Sequence, residues 1–143
     1  MPQTLNANRR VILAERPKGL PYTNTLRLED SDIQEAGAGE ILLRTVYLSL
    51  DPYMRGRIND AKSYSEPMKI GEVMTGQVVA KVVSSNLDGF EVGDYLLSRS
   101  GWQDYAISDG ADVMNLGKTP KNPSRSLGVL GMPGYTAYAG LLI

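Results

Sequence analysis

Cysteine and histidine are both absent from this 143-residue chain. Without cysteine no disulfide can form, and without either residue no thiolate or imidazole is available to ligate zinc, copper or iron. Catalysis by a Cys–His pair or a Ser–His–Asp triad is excluded on the same ground. A carboxylate cage for magnesium or calcium needs no imidazole, but Asp30, Asp32 and Glu35 lack the spacing of a calcium loop, so no metal is expected. Charge of one sign is nowhere concentrated: 15 basic and 16 acidic residues are spread without blocks and sum to −1. A face for nucleic acid is therefore not expected. No apolar run approaches the ~18 residues of a membrane span. The opening residues Met1-Pro2-Gln3-Thr4-Leu5-Asn6-Ala7-Asn8 are polar, without the apolar stretch of a signal peptide, and a cytoplasmic protein is expected. Any chemistry must use Tyr, Ser, Thr, Arg, Lys, Asp, Glu or the backbone.

What is present points to a single β-rich domain with a real core. Val, Ile, Leu and Tyr recur in short runs separated by Gly, Pro, Asn and Asp. Residues 10–15 read as a strand ended by Pro17, Gly19 and Pro21, and residues 26–29 alternate as a second. Gly37-Ala38-Gly39 turns the chain into residues 40–50, the strongest strand pattern. There Ile41 and Leu43 lie on one face and Leu42, Val46 and Leu48 on the other, which predicts burial on both sides. Asp51-Pro52 ends that strand, with Asp51 as helix N-cap and Pro52 as first residue of one turn over residues 53–57. Residues 59–67 form a polar loop carrying Tyr64. Residues 73–84 predict a long strand, with Gly76 marking a bulge or a close backbone approach. Turns at 86–89 and 93–94 lead to strands over 95–98 and 102–107. Pro120 and Pro123 mark a linker, and Ser124 or Ser126 caps a brief helix through Leu130. About six short strands in a twisted, partly closed sheet are expected.

The last stretch, Gly131-Met132-Pro133-Gly134-Tyr135-Thr136-Ala137-Tyr138-Ala139-Gly140-Leu141-Leu142-Ile143, begins as a helix with proline in its first turn. No Gly, Asn, Lys or Arg closes it, so the expectation is the front part of a larger protein. No Gly-x-Gly-x-x-Gly follows a strand anywhere, so no dinucleotide-binding unit is expected within these residues.

Three motifs, in order and at these spacings, carry a resemblance. They are Leu48-Ser49-Leu50-Asp51-Pro52-Tyr53-Met54-Arg55, Phe90-Glu91-Val92-Gly93-Asp94, and Gly131-Met132-Pro133-Gly134-Tyr135-Thr136-Ala137-Tyr138. Together they resemble the medium-chain dehydrogenase/reductase superfamily, in the zinc-independent branch of leukotriene B4 12-hydroxydehydrogenases, prostaglandin reductases, plant double-bond reductases and curcumin reductases. Asp60-Ala61-Lys62-Ser63-Tyr64 is most similar to the bacterial curcumin reductase type. The resemblance implies a mainly β, GroES-like, partly open barrel over residues 1–130. Residues 131–143 would start the helix leading to an absent NADP-binding Rossmann domain. It further implies NADPH-dependent reduction of the C=C bond of α,β-unsaturated ketones or aldehydes, a homodimeric parent, and no activity in the fragment alone. Two rivals stand beside it: a quinone oxidoreductase of the same superfamily, and a non-catalytic GroES-like binding module.

Site residues follow from the resemblance, each beside a plainer account. Tyr64 is implied as the catalytic phenol on the substrate carbonyl or as a wall of the cleft; otherwise it anchors its loop. Tyr53 is implied to line the same cleft; otherwise it packs on the barrel. Pro52, Met132 and Thr136 are implied to touch the nicotinamide end of NADP(H), Thr136 through its hydroxyl to the carboxamide. Otherwise Pro52 starts a helix, Met132 packs at a helix entry, and Thr136 bonds to the preceding turn. Arg55 and Arg57 read as a solvated charged turn, Trp102, Tyr47 and Tyr95 as core, and Asp94 as a turn residue.

Overall fold

The computed structural model describes residues 7–21, 23–61 and 65–142. Among the described residues, seven strands and little helix make the chain mainly β. Strand β1 (Asn8–Leu13) pairs antiparallel with β2 (Leu26–Ser31), from Asn8 opposite Ser31 to Leu13 opposite Leu26. The other strands are β3 (Ile41–Leu48), β4 (Val78–Ser85), β5 (Tyr95–Ser98), β6 (Tyr105–Ser108) and β7 (Met114–Gly117). They form one antiparallel sheet in the order β6-β3-β4-β5-β7.

The free edge of β1 joins the two-stranded ribbon to the rest. Val11 N–H donates to Trp102 O at 2.9 Å, Met74 N–H to Val11 O at 2.7 Å, and Leu13 N–H to Glu72 O at 3.0 Å. Single bridges link Arg10 to Gln103 and Ile12 to Val73. The backbone groups of β1 thus find partners on both sides, as an interior strand requires, and the sheet curls toward closure.

Two apolar clusters fill the interior. The first is wholly aliphatic: Ile41, Leu43, Val78, Ala80, Val82 and Leu96. It follows from strand alternation, with exposed Lys81 and Val83 on either side of Val82. The second holds Leu13, Met54, Ile58, Met68 and Met74, with Tyr53 and Trp102 packed against it. It lies under the short helix α1 (Tyr53–Arg57). Each fully buried aliphatic side chain contributes roughly 1.5–3 kcal/mol.

Several expectations are corrected. β3 is not buried on both faces: Val46 is 43% and Tyr47 44% exposed, so Tyr47 is not core. The long strand starts at Val78, not at 73, because Val73 leaves the sheet to bridge Ile12. At Gly76 it is a side chain that approaches: an added Cβ would lie 2.9 Å from the Trp102 indole and 3.1 Å from Leu48. β6 begins at Tyr105 because residues 102–104 face β1 and β3 instead. β7 had no counterpart in the sequence reading. Pro52, not Asp51, occupies the N-cap of α1, with helical φ −56° and ψ −32° and no side-chain cap. Asp51 contributes its carbonyl, which accepts from Met54 N–H at 3.1 Å. Near the end a 3-10 helix (Pro123–Leu127) is entered from Asn122 at a left-handed φ of 57° without a serine cap, and stops three residues short of Leu130. Helix α2 (Met132–Leu142) forms where expected and buries none of its residues.

Candidate active site

The segment from β3 into α1 places the first pair of candidates. Ser49 N–H donates to Gln77 O at 2.9 Å, which holds the strand end beside the approach to β4. Pro52 then fixes the entry to α1 on an exposed corner. Met54 and Ile58, 5% and 3% exposed, root the helix in the second cluster, and Tyr53 packs half-buried on the same cluster.

Arginines brace this turn. Arg16 Nη1 donates to Ile58 O at 3.0 Å, and Arg55 donates to Asn59 Oδ1 at 2.5 Å and to the Gly19 carbonyl. Arg57 donates to Ser65 Oγ, and its carbonyl accepts from Met68 N–H at 2.9 Å. The solvated charged turn read from the sequence is therefore a set of ties between α1, residues 16–19 and the 59–67 loop. Sequence gave no signal for it, because partners up to 42 residues apart meet only in the fold. Tyr64, the catalytic candidate, lies outside the described residues.

The second pair sits on α2. Its entry needs glycine twice: an added Cβ would come within 2.1 Å of Ser126 O at Gly131, and within 2.0 Å of Val129 O at Gly134. Met132 is 46% exposed, and Thr136 Oγ1 donates to Met132 O at 2.9 Å. That is the bond to the preceding turn, and it leaves the exposed threonine oxygen free to accept.

Pro52 and Tyr53 thus share one helix start, and Met132 and Thr136 share one helix turn. Neither pair lines either of two surface hollows formed by the described residues. One, about 460 Å³, lies between the sheets and is lined by Asn8, Arg10, Asp32, Leu42, Gln103 and Tyr105 among others; the other follows the 86–89 turn. Among the described residues no group of three or more acidic side chains is placed to hold a metal. None of their helices is long and apolar enough to cross a membrane.

Residues 9–116 match the family described as the N-terminal domain of oxidoreductase. The chain belongs to that family. Within it, this N-terminal oxidoreductase domain falls in the zinc-independent branch of the medium-chain dehydrogenase/reductases, with their GroES-like fold. It is 58% identical over 142 residues to the NADPH-dependent curcumin reductase of Escherichia coli, covering 99% of this chain and 41% of that protein. It is 34% identical to the NADP(+)-dependent 2-alkenal reductase of Nicotiana tabacum, covering 94% of this chain and 40% of that one. The crystal structure of CurA from Vibrio vulnificus in complex with NADPH superposes with a TM-score of 0.89 at 58% identity, over 94% of this chain and 40% of that one. The N-terminal oxidoreductase domain thus spans about two-fifths of the length of these relatives.

Proposed function

We propose that this chain is the substrate-side domain of an NADPH-dependent reductase acting on the C=C bond of α,β-unsaturated ketones and aldehydes. The observation that carries the reading is 58% identity over 142 residues to an NADPH-dependent curcumin reductase. Residues 1–130 would be the GroES-like domain and residues 131–143 the start of the passage to a Rossmann domain, in a cytoplasmic homodimer. NADPH, when bound, supplies the hydride for the β-carbon.

The residues present fit the nicotinamide end of that cofactor. Thr136 has its hydroxyl proton engaged by Met132 O and its oxygen exposed, so it offers an acceptor to a carboxamide N–H. Met132 and the exposed ring of Pro52 offer apolar contact. On the substrate side Tyr53 forms a wall over the second cluster. The Tyr64 phenol donates to the carbonyl oxygen, where negative charge builds during reduction, or delivers the proton that completes it. A phenol does this without a metal, which suits a domain lacking cysteine and histidine.

The test is NADPH oxidation by the full-length protein with curcumin or 3-nonen-2-one, in wild type and in Tyr64→Phe. Turnover is expected, with kcat about 100-fold lower in the variant, the scale of a lost general acid. Absence of enone turnover in the wild type would overturn the reading. Turnover with an unchanged variant would keep the reaction and return Tyr64 to loop anchoring.

A further inference from the structure

The two clusters are built from different side chains, and the division follows the candidate site. The sheet cluster has no methionine; four of its six residues are Ile or Val or Ala, and the rest are leucine. The cluster beneath α1 holds Met54, Met68 and Met74, each at most 5% exposed. The other two methionines among the described residues, Met114 and Met132, are 61% and 46% exposed. Every buried methionine described therefore belongs to the cluster against which Tyr53 and Trp102 pack.

Chemistry gives the division a meaning. A branched side chain has one or two usable χ1 states and transmits any displacement as strain. Methionine has three rotatable bonds and a polarizable sulfur, so it refills an altered space at little cost. The three residues also come from three separate stretches of backbone. Met54 lies on α1 itself, Met68 follows the 59–67 loop, and Met74 bridges β1 to Trp102 through Val11 O and its own carbonyl, at 2.7 and 2.8 Å. None of the three lies in a strand, so a shift of α1 over Met68 and Met74 breaks no strand pairing and works only against the arginine ties to residues 16–19 and the 59–67 loop.

We infer that Met54, Met68 and Met74 form a deformable floor that sets the breadth of substrate acceptance, by letting Tyr53 and α1 shift for enones of different bulk. They are positioning residues that act through Tyr53. This inference rests on the proposed reductase function and specifies its site.

The experiment compares kcat/KM for curcumin, broad and rigid, with that for 3-nonen-2-one, slim and flexible, in the full-length protein. Met68→Leu, Met74→Leu and the stiffer Met68→Ile are measured beside Met114→Leu, an exposed control outside the cluster. Met-to-Leu swaps conserve volume and preserve the fold. The curcumin to nonenone ratio is expected to fall at least about tenfold in the cluster variants, with the nonenone rate nearly kept and the control unchanged. An unchanged ratio in folded variants overturns the inference and leaves the reductase reading intact. No turnover of either enone by the wild type overturns both. A second measurement needs no variant: methyl-labelled methionine NMR of the unmutated protein with each enone. Distinct Met54, Met68 and Met74 shifts for the two ligands are expected, and identical shifts overturn the inference.

Discussion

At Gly101 two demands meet that no other residue answers. Its φ is +79°, and an added Cβ would stand 2.6 Å from the Met74 carbonyl oxygen. Gly71 has a similar φ of +90° but open space around the same position. Alanine at 71 pays only the left-handed penalty, about 1–2 kcal/mol, whereas alanine at 101 adds overpacking of about 1–3 kcal/mol against backbone. Urea midpoints for the two variants should separate accordingly, and equal losses would show that the Met74 carbonyl yields freely. Asp94 is the other residue with a clear structural role: buried at 7% exposure, it accepts from Glu91 N–H at 3.0 Å and Asn115 Nδ2 at 3.1 Å. Asp94→Ala removes two bonds to a buried carboxylate and should cost about 1.5–3 kcal/mol, while Asn115→Ala, at an exposed partner, should cost less; the reverse order in chemical denaturation would contradict that account. Residue by residue, the sequence was readable where local chemistry decides. Asp94 is the turn residue expected, and Thr136 makes the backbone bond its helix position allows. It was unreadable at Tyr47, an aromatic in a strand pattern whose exposure depends on what covers that face.

The ribbon of β1 and β2 behaves as an element with its own electrostatics. Glu29 accepts from Arg27 at 2.6 and 3.1 Å and stands 3.5 Å from Arg10. The Arg27 hydrogen bond, with the nearby positive charges of Arg27 and Arg10, holds its carboxyl below the usual carboxylate range. A group whose folded pKa is lowered stabilises the fold above its unfolded pKa, and that contribution disappears as pH falls through the lowered value. Wild type should therefore exceed Glu29→Gln in stability at neutral pH, with the gap closing in acid and shrinking in salt. Denaturation curves across that range would refute the account if the gap widened toward acid. The same scale shows how far periodicity reaches. It located β3, β5, α1 and α2 because their apolar residues repeat at the right period or follow a proline. It missed β7, whose Met114-Asn115-Leu116-Gly117 has no β-branched residue and is a strand only because β5 offers it an edge. It overran at 73–77, where Gly76 leaves room for the Trp102 ring, a contact made across 26 positions of sequence that no local pattern encodes.

For the molecule as a whole, apolar surface is unevenly shared. Leu50 at the end of the β3 segment is 70% exposed, and on α2 Tyr135, Tyr138, Leu141 and Leu142 are all more than 60% exposed. Grouped on one helix, such residues favour association in water. Sedimentation velocity on the 143-residue chain should show a concentration-dependent shift that the double change Leu141→Glu with Leu142→Glu removes; a monomer at every concentration would exclude it. The family and its GroES-like barrel were accessible only through the resemblance that three short motifs carry, while the mainly β character was already legible in the short apolar runs between turn residues. The arginine braces and the methionine floor were not, being products of long-range packing. Trp102 has a further consequence. It is the chain's sole indole, its N–H is buried without a partner among the described residues, and it rests on the methionine cluster and not on the aliphatic one. The domain thus carries its own optical gauge. Emission from that one ring reports the state of the ground beneath Tyr53, and a change in colour before the sheet melts would mark that ground giving way first.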